Sequence, residues 1–142
     1  MEPIVVDAFL ADHVVESGHK LYANGVGWNI MRVKQLPGPL PPMGIGVLIH
    51  VPYTSTNEKH RFGVRLEGAD GETIPLRTGE GDAIGVEFNV GRPADLQPGD
   101  DQVVPLAINL IGVQIEATGA YMFRLSIDGD DARSLRFRVT GG

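Results

Sequence analysis

Residues 119–139 read GAYMFRLSIDGDDARSLRFRV, and this stretch decides the fold. Apolar side chains occupy every second position there, first at Tyr121, Phe123, Leu125 and Ile127 and then at Leu135, Phe137 and Val139, and the positions between them are mostly polar. A period of two sends alternate side chains to opposite faces of a strand. The stretch therefore predicts a β-hairpin. We expect its turn at 129–132, Gly-Asp-Asp-Ala, because glycine and aspartate tolerate the backbone angles of a tight reversal.

The residues just before this hairpin indicate its place in the fold. Gly119 followed by Tyr121 is typical of the corner at which a strand enters a Greek-key sandwich, where a tyrosine hydroxyl bonds to nearby backbone. We expect the hairpin to be a central pair of a β-sandwich.

The same alternation recurs upstream and predicts further strands at 43–53, 60–68 and 84–90. A turn at 69–72 joins the second of these to 74–76. Four prolines in 36–42 predict a stiff crossover between sheets, since proline removes backbone donors. The glycine-rich stretch 79–85 is interpreted as a turn, because no helical pattern follows it.

Three segments depart from simple alternation. Residues 4–15 and 103–115 are apolar on both alternating sets, which is typical of strands covered on both faces. A helix over 6–15 remains the alternative for the first segment. Residues 21–33 are predicted to return as one strand, with Gly25 and Gly27 marking a bulge or a close backbone approach.

Together these patterns predict an all-β protein. We expect one domain, residues 1–142, forming a single β-sandwich of eight or nine mostly antiparallel strands, Ig-like or a related Greek key. A chain of 142 residues is long enough for one hydrophobic core.

Charge and composition exclude several classes of partner. With 12 basic and 18 acidic residues the net charge is −6, and no basic run is present, so nucleic acid and membrane are not expected as partners. The chain has no cysteine, hence no disulfide and no thiolate chemistry. The first residues are acidic where a signal peptide is basic, which favours a cytoplasmic location.

The sequence supplies little catalytic chemistry. The four histidines lack the spacing of paired metal ligands, and no serine lies in a nucleophile motif, so no transition metal, cofactor or catalytic residue is predicted. Acidic loops offer candidate calcium ligands at Asp70, Asp128, Asp130 and Asp131, although aspartate is also an ordinary turn residue. Tyr22, Trp28 and Tyr53 are candidates for a sugar-binding platform, although large aromatics are more often core.

Across most of its length the chain resembles an uncharacterised family of small bacterial proteins, common in actinobacteria and known only as a domain of unknown function. The shared features are Leu10-Ala11-Asp12, Gly25-Val26-Gly27, the proline-rich crossover, the Val64-Arg65-Leu66 to Asp70-Gly71 hairpin and the Gly119-x-Tyr121-x-Phe123 motif. The resemblance implies a β-sandwich and brings no catalytic residues.

We therefore expect a non-catalytic protein that works by self-assembly or by recognising another protein. The excess apolar residues of the two-sided strands are the interface candidates, namely Val5, Phe9, Ala107, Ile111 and Val113. A homo-oligomer covers such a surface most simply. The alternative is a small-ligand module that binds calcium or carbohydrate through the acidic end loops.

Overall fold

The computed structural model describes residues 3–76 and 83–141, and this part of the chain is all-β, as the sequence predicts. Apart from one 3₁₀ turn at Tyr53–Ser55, its regular elements are strands. In chain order they are β1 Val5–Ala11, β2 His13–Ser17, β3 Lys20–Asn24, β4 Ile30–Val33, β5 Gly38–Pro39, β6 Met43–Pro52, β7 Lys59–Glu67, β8 Thr73–Ile74, β9 Ile84–Asn89, β10 Asp101–Leu110, β11 Gln114–Ile115, β12 Gly119–Ile127 and β13 Asp130–Gly141. The predicted number, eight or nine, was too small.

The strands form four sheets in the described residues. A three-stranded sheet has the order β1-β6-β10, and all its pairs are antiparallel. A six-stranded sheet has the order β4-β13-β12-β7, and both β8 and β9 pair with the edge of β7 that is away from β12. Only β4 and β13 are parallel in it. Two-residue to five-residue strands form the small sheets β2–β3 and β5–β11.

One hydrophobic cluster connects the two large sheets, because it draws buried side chains from each of them. In β6 the alternation is as predicted: Ile45, Val47, Ile49 and Val51 are fully buried. In the six-stranded sheet the corresponding fully buried residues are Phe62, Leu66, Phe123 and Leu125. Period-two patterning therefore identified the core correctly.

The hairpin of β12 and β13 forms as expected, but its turn lies earlier. Ile127 pairs with Asp130, which leaves Asp128 and Gly129 as a two-residue loop with φ of 51° and 89°. Positive φ at both positions is the geometry that Asp-Gly favours in hairpins. The predicted turn at 129–132 was wrong because the pairing shifts between Leu125 and Ser126, which leaves Ala132 as an extra residue in a bulge.

Each of the three longer predicted strands is interrupted. Residues 4–15 divide at Asp12 into β1 and β2, so the helical alternative was wrong. Residues 21–33 divide into β3 and β4, with Gly25 and Gly27 between them. The bulge or close backbone approach predicted there is not what the structure shows, since the neighbour of Gly25 is the side chain of Asp12. Residues 103–115 divide at Gly112, whose φ of 76° suits glycine.

The proline-rich segment does connect the two large sheets, because it joins β4 to β6. Within it β5 pairs with β11, so part of the segment also takes a short strand position. The core of the glycine-rich stretch, 79–82, lies outside the described residues.

Candidate functional site

The outer face of the three-stranded sheet brings together three of the predicted interface residues. Phe9 and Ala107 both pair with Gly46 of β6, and Val5 pairs with His50. Directly paired residues share a face, and the alternate residues of β6 point into the core. Val5 is 50% exposed and Val103, which also pairs with His50, is 41% exposed.

Phe9 lies across the middle strand of this face. A β-carbon on Gly46 would lie 2.2 Å from Phe9 Cζ, so the ring occupies the space that a side chain would need. Ala107 continues the same row on β10, and Leu48 lies two residues along β6. We call the surface formed by Val5, Phe9, Leu48, Val103 and Ala107 the apolar face.

Polar groups on this side of the sheet are few and paired. His50 Nε2 lies 2.9 Å from Asp7 Oδ2, between the exposed valines of the neighbouring strands. The far end of the sheet is covered by the β2–β3 hairpin. Val14 N–H donates to Asn109 Oδ1 at 3.0 Å, and Asn109 Nδ2 donates to Val14 O at 2.7 Å. Among residues 3–76 and 83–141, no other element covers the half of the sheet that carries the apolar face.

The two remaining interface candidates lie elsewhere. Ile111 is 77% exposed on the loop after β10, beyond the end of the apolar face. Val113 is 1% exposed and belongs to the core, which corrects its choice as a surface residue. Leu48 and Val103 were missed. Both are apolar residues at alternate positions of predicted strands, 43–53 and 103–115, and this pattern could have identified them.

The outer face of the six-stranded sheet is basic. Six arginines lie there, on four strands: Arg32, Arg61, Arg65, Arg124, Arg136 and Arg138. We call this surface the arginine face. No run of basic residues reveals it in the sequence, because the side chains come from separate stretches.

Part of the arginine face is neutralised by acids. Glu67 accepts hydrogen bonds from Arg124 Nε at 2.8 Å and Arg65 Nε at 3.0 Å. These bonds hold the pKa of Glu67 below its usual value. Arg65 also donates to Asp131 at 3.2 Å, and Arg61 lies 3.5 Å from Glu87.

The calcium candidates do not all lie together. Asp128, Asp130 and Asp131 lie at the β12–β13 turn near the start of β7, whereas Asp70 follows the end of β7. Asp128 and Asp131 are engaged by His60 and Arg65 respectively. Over residues 3–76 and 83–141, no group of three potential metal ligands is found.

The aromatic candidates do not form a platform either. Tyr22 is 58% exposed on β3. Trp28 packs edge-on against Phe137, with ring centroids 6.3 Å apart. Tyr53 lies beneath Arg92, whose Cζ is 4.0 Å from the ring centroid. Trp28 and Tyr53 therefore pack against other residues, Tyr22 lies on a separate strand, β3, and the three rings do not form one sugar-binding surface.

A buried histidine, which sequence reasoning missed, lies beside a groove of about 640 Å³ between β1 and the β12–β13 turn. His60 Nδ1 lies 2.8 Å from Asp128 Oδ2, and Nε2 lies 2.9 Å from Ser55 O. Both partners are acceptors, so both ring nitrogens donate only when His60 is the imidazolium cation. No sequence signal indicated the pair, because its members are 68 residues apart.

The pKa shifts agree with a charged pair. Burial by itself lowers the pKa of His60, but the hydrogen bonds to Ser55 O and Asp128 outweigh it and raise the pKa above 6.5. Burial raises the pKa of Asp128, but the bonds from His60 and from Arg61 N–H outweigh it, so the pKa lies below 3.8. His60 thus ties the 3₁₀ turn after β6 to the turn of the hairpin.

The chain belongs to a family of unknown function, DUF6941, whose model matches residues 6–140. No curated protein matches the sequence. Among solved structures, the chain is similar to the Pseudomonas fluorescens alkylpurine DNA glycosylase AlkC bound to DNA containing an abasic site analog, at 11% identity and a TM-score of 0.42. The match covers 93% of this chain but 30% of the glycosylase. A likeness this distant carries no argument about function.

The family match confirms the predicted resemblance to an uncharacterised domain family. In the part of the chain that the structure describes, no helix is long and apolar enough to cross a membrane.

Proposed function

We propose that this protein works by self-assembly rather than catalysis, as a symmetric homodimer that buries the apolar face. The observation that carries the proposal is the position of Val5, Phe9, Leu48, Val103 and Ala107 on one open side of one sheet. Val5 and Val103 are exposed, while Phe9, Leu48 and Ala107 are half-buried, and association would remove the remaining apolar surface from water.

The shape of the apolar face suits a second copy of the same chain. Phe9, Gly46 and Ala107 form one row across the three strands, and the phenyl ring extends from β1 over Gly46, so the row is bulky from β1 to its middle and small at Ala107. A two-fold axis parallel to the strands reverses this row in the facing copy. The ring of each protomer then faces the part of the partner's row that ends in the small alanine, an isologous contact.

We further propose that the two large sheets make an Ig-like sandwich. The order β1-β6-β10 opposite β13-β12-β7 corresponds to the A-B-E and G-F-C strands of immunoglobulin domains. Tyr121 supports the same assignment, since its hydroxyl donates to Ala117 O at 2.5 Å, as at a tyrosine corner. Nuclear Overhauser contacts between methyl groups of β6 and β12 test this arrangement, and their absence would contradict it.

The test of the dimer is the solution mass by light scattering, with Val103→Lys as the variant and Val15→Lys as its matched control. The two valines are 41% and 44% exposed, but Val15 lies on the β2–β3 hairpin, outside the apolar face. We expect dimer for the unchanged protein and for Val15→Lys, and folded monomer for Val103→Lys, because a lysine ammonium cannot be buried unpaired.

A monomer for the unchanged protein at concentrations of about 100 μM, which is well above the Kd of a stable dimer, would overturn the proposal. So would a dimer that Val15→Lys dissociates and Val103→Lys does not. Circular dichroism on both variants establishes that a change of mass is not a loss of fold.

A further inference from the structure

Three members of the arginine face have no acidic partner. In the described residues, Arg32, Arg136 and Arg138 are exposed and form no ion pair, in contrast to Arg61, Arg65 and Arg124. The uncompensated charges lie together, on the adjacent strands β4 and β13. A chain with a net charge of −6 therefore carries a local concentration of positive charge at one edge of its larger sheet.

The three arginines are evenly spaced along the strand direction. Arg136 and Arg138 are two residues apart, or about 7 Å in a strand. β4 runs parallel to β13 and places Arg32 beside Thr140, one more step of two residues along. Side chains on one face of an extended chain recur at this same interval.

A depression lies beside this row. Its volume is about 290 Å³, and it is lined by the apolar residues Ile30, Ala120 and Phe137 together with Asn29, Arg136 and Arg138. Ile30 is 55% exposed, which is unusual for isoleucine in a strand of the core sheet. An apolar centre with a charged rim is the ordinary composition of a protein recognition site.

The backbone beside the depression is also available. Arg138 N–H donates to Asn29 O at 2.8 Å. In a parallel pair, every second residue of a strand directs its backbone N–H and C=O groups towards the same neighbouring strand. The N–H and C=O groups of Ile30 and Arg32 thus point away from β13. β4 is the terminal strand of its sheet, and over the described ranges no other strand pairs with that side. Such an edge is a template for an added strand.

We propose that the β4 edge and the row formed by Arg32, Arg136 and Arg138 bind an extended acidic segment of another protein. The segment adds as a strand to β4, with carboxylates at every second residue directed over the outer face. Guanidinium groups bind carboxylates through paired, charge-assisted hydrogen bonds. The site lies on the opposite sheet from the apolar face, so it neither requires nor prevents the proposed dimer.

A protein segment suits this surface better than a nucleic acid. Within the described ranges, three of the six arginines on this face have no acidic partner, and Glu67 and Asp131 neutralise the neighbouring part of the face. A long polyanion would meet the net negative field of the rest of the chain, whereas a short peptide would meet only the local row.

The experiment is fluorescence anisotropy with a labelled peptide of about eight residues that alternates Glu and Val, which spans the four-residue strand β4 and extends past both of its ends. Its control is the same peptide with Gln in place of Glu. We expect the Glu peptide to bind, the Gln peptide to bind at least about tenfold more weakly, and added salt to weaken the Glu complex.

Protein variants localise the binding. Arg136→Glu/Arg138→Glu should weaken the peptide at least about tenfold through charge reversal. The matched control Lys20→Glu/Lys59→Glu changes the net charge equally at exposed positions away from the row of Arg32, Arg136 and Arg138, on the β2–β3 hairpin and at the start of β7 near the β12–β13 turn. It should change the affinity less than about twofold. Should the first double variant unfold, Arg32→Glu on the β4 edge makes the same test.

Three results would overturn the proposal. The first is no binding of the Glu peptide at low salt. The second is an equal loss of binding in the Lys20→Glu/Lys59→Glu control. The third is tighter binding of a single-stranded oligonucleotide of equal charge that Arg136→Glu/Arg138→Glu abolishes, which would assign the row to nucleic acid. None of these results depends on the solution mass, so failure here and failure of the dimer are distinguishable.

Discussion

The two large sheets have similar inner faces and opposite outer faces. Inside, both contribute fully buried aliphatic and aromatic residues to one cluster. Outside, the three-stranded sheet presents Val5, Phe9 and Val103, whereas the six-stranded sheet presents six arginines. The inner residues are constrained by packing, so the fold accounts for them. The outer residues are not required by packing, and their contrast is the basis for the two binding surfaces that we propose.

The comparison predicts that a change inside the molecule affects both sheets, while a change outside affects one. Phe123→Ala removes a fully buried ring and should reduce the free energy of unfolding by about 3–5 kcal/mol. Met122→Ala, one residue away on the outer face, should cost less than about 1 kcal/mol. Urea unfolding followed by circular dichroism measures both values, and similar losses would contradict the assignment of inner and outer faces.

The second prediction concerns His60, which joins a turn from one sheet to a turn from the other. His60→Gln should reduce the free energy of unfolding by about 2 kcal/mol near pH 5.5, because a charge-assisted bond to Asp128 is lost.

The pH dependence follows from the two pKa shifts. Because the pKa of His60 is raised, its contribution is complete below 6.5 and is lost as the pH rises through the folded value. Because the pKa of Asp128 is lowered, its contribution is present above 3.8 and is lost as the pH falls through the folded value. Melting temperatures from pH 3 to 9 should show the largest difference between the unchanged protein and the variant from about 4 to 6.5. A difference that grows above pH 8 would contradict a charged histidine.

The third prediction concerns a single hydrogen bond at the other end of the six-stranded sheet. Tyr121→Phe removes the bond to Ala117 O and should cost about 1 kcal/mol, since the ring itself keeps its packing against Phe137. Urea unfolding again gives the value, with Phe137→Leu as a control that alters the stacking but keeps the hydroxyl. No change in Tyr121→Phe would mean that the corner bond is not a net stabilising contact.

Prediction from the sequence succeeded where the information is local. The alternation in β6, β7, β12 and β13 identified both the strands and their buried sides, and Gly119-x-Tyr121 identified the corner bond. It failed where a break depends on a distant contact. Asp12 N–H donates to Asn24 O at 2.9 Å, and this contact, together with the approach of Gly25, lies where two predicted strands divide into four.

The candidate surfaces were accessible only in part. Val5, Phe9 and Ala107 were identified from their excess apolarity, while Val113 has the same character and lies in the core. Whether Val113 is buried depends on where the chain turns after β10, and the pattern of apolar residues does not predict the position of that turn.

The sequence by itself determined the all-β class, the main core residues and the central hairpin, because a period of two is a property of neighbouring residues. Tertiary structure alone decided three further features. It paired β4 in parallel with β13, which aligns Arg32 with arginines more than a hundred positions away. It placed His60 against Asp128, and it left one half of the three-stranded sheet uncovered. These depend on strand order and register, which are set by the packing of the whole chain.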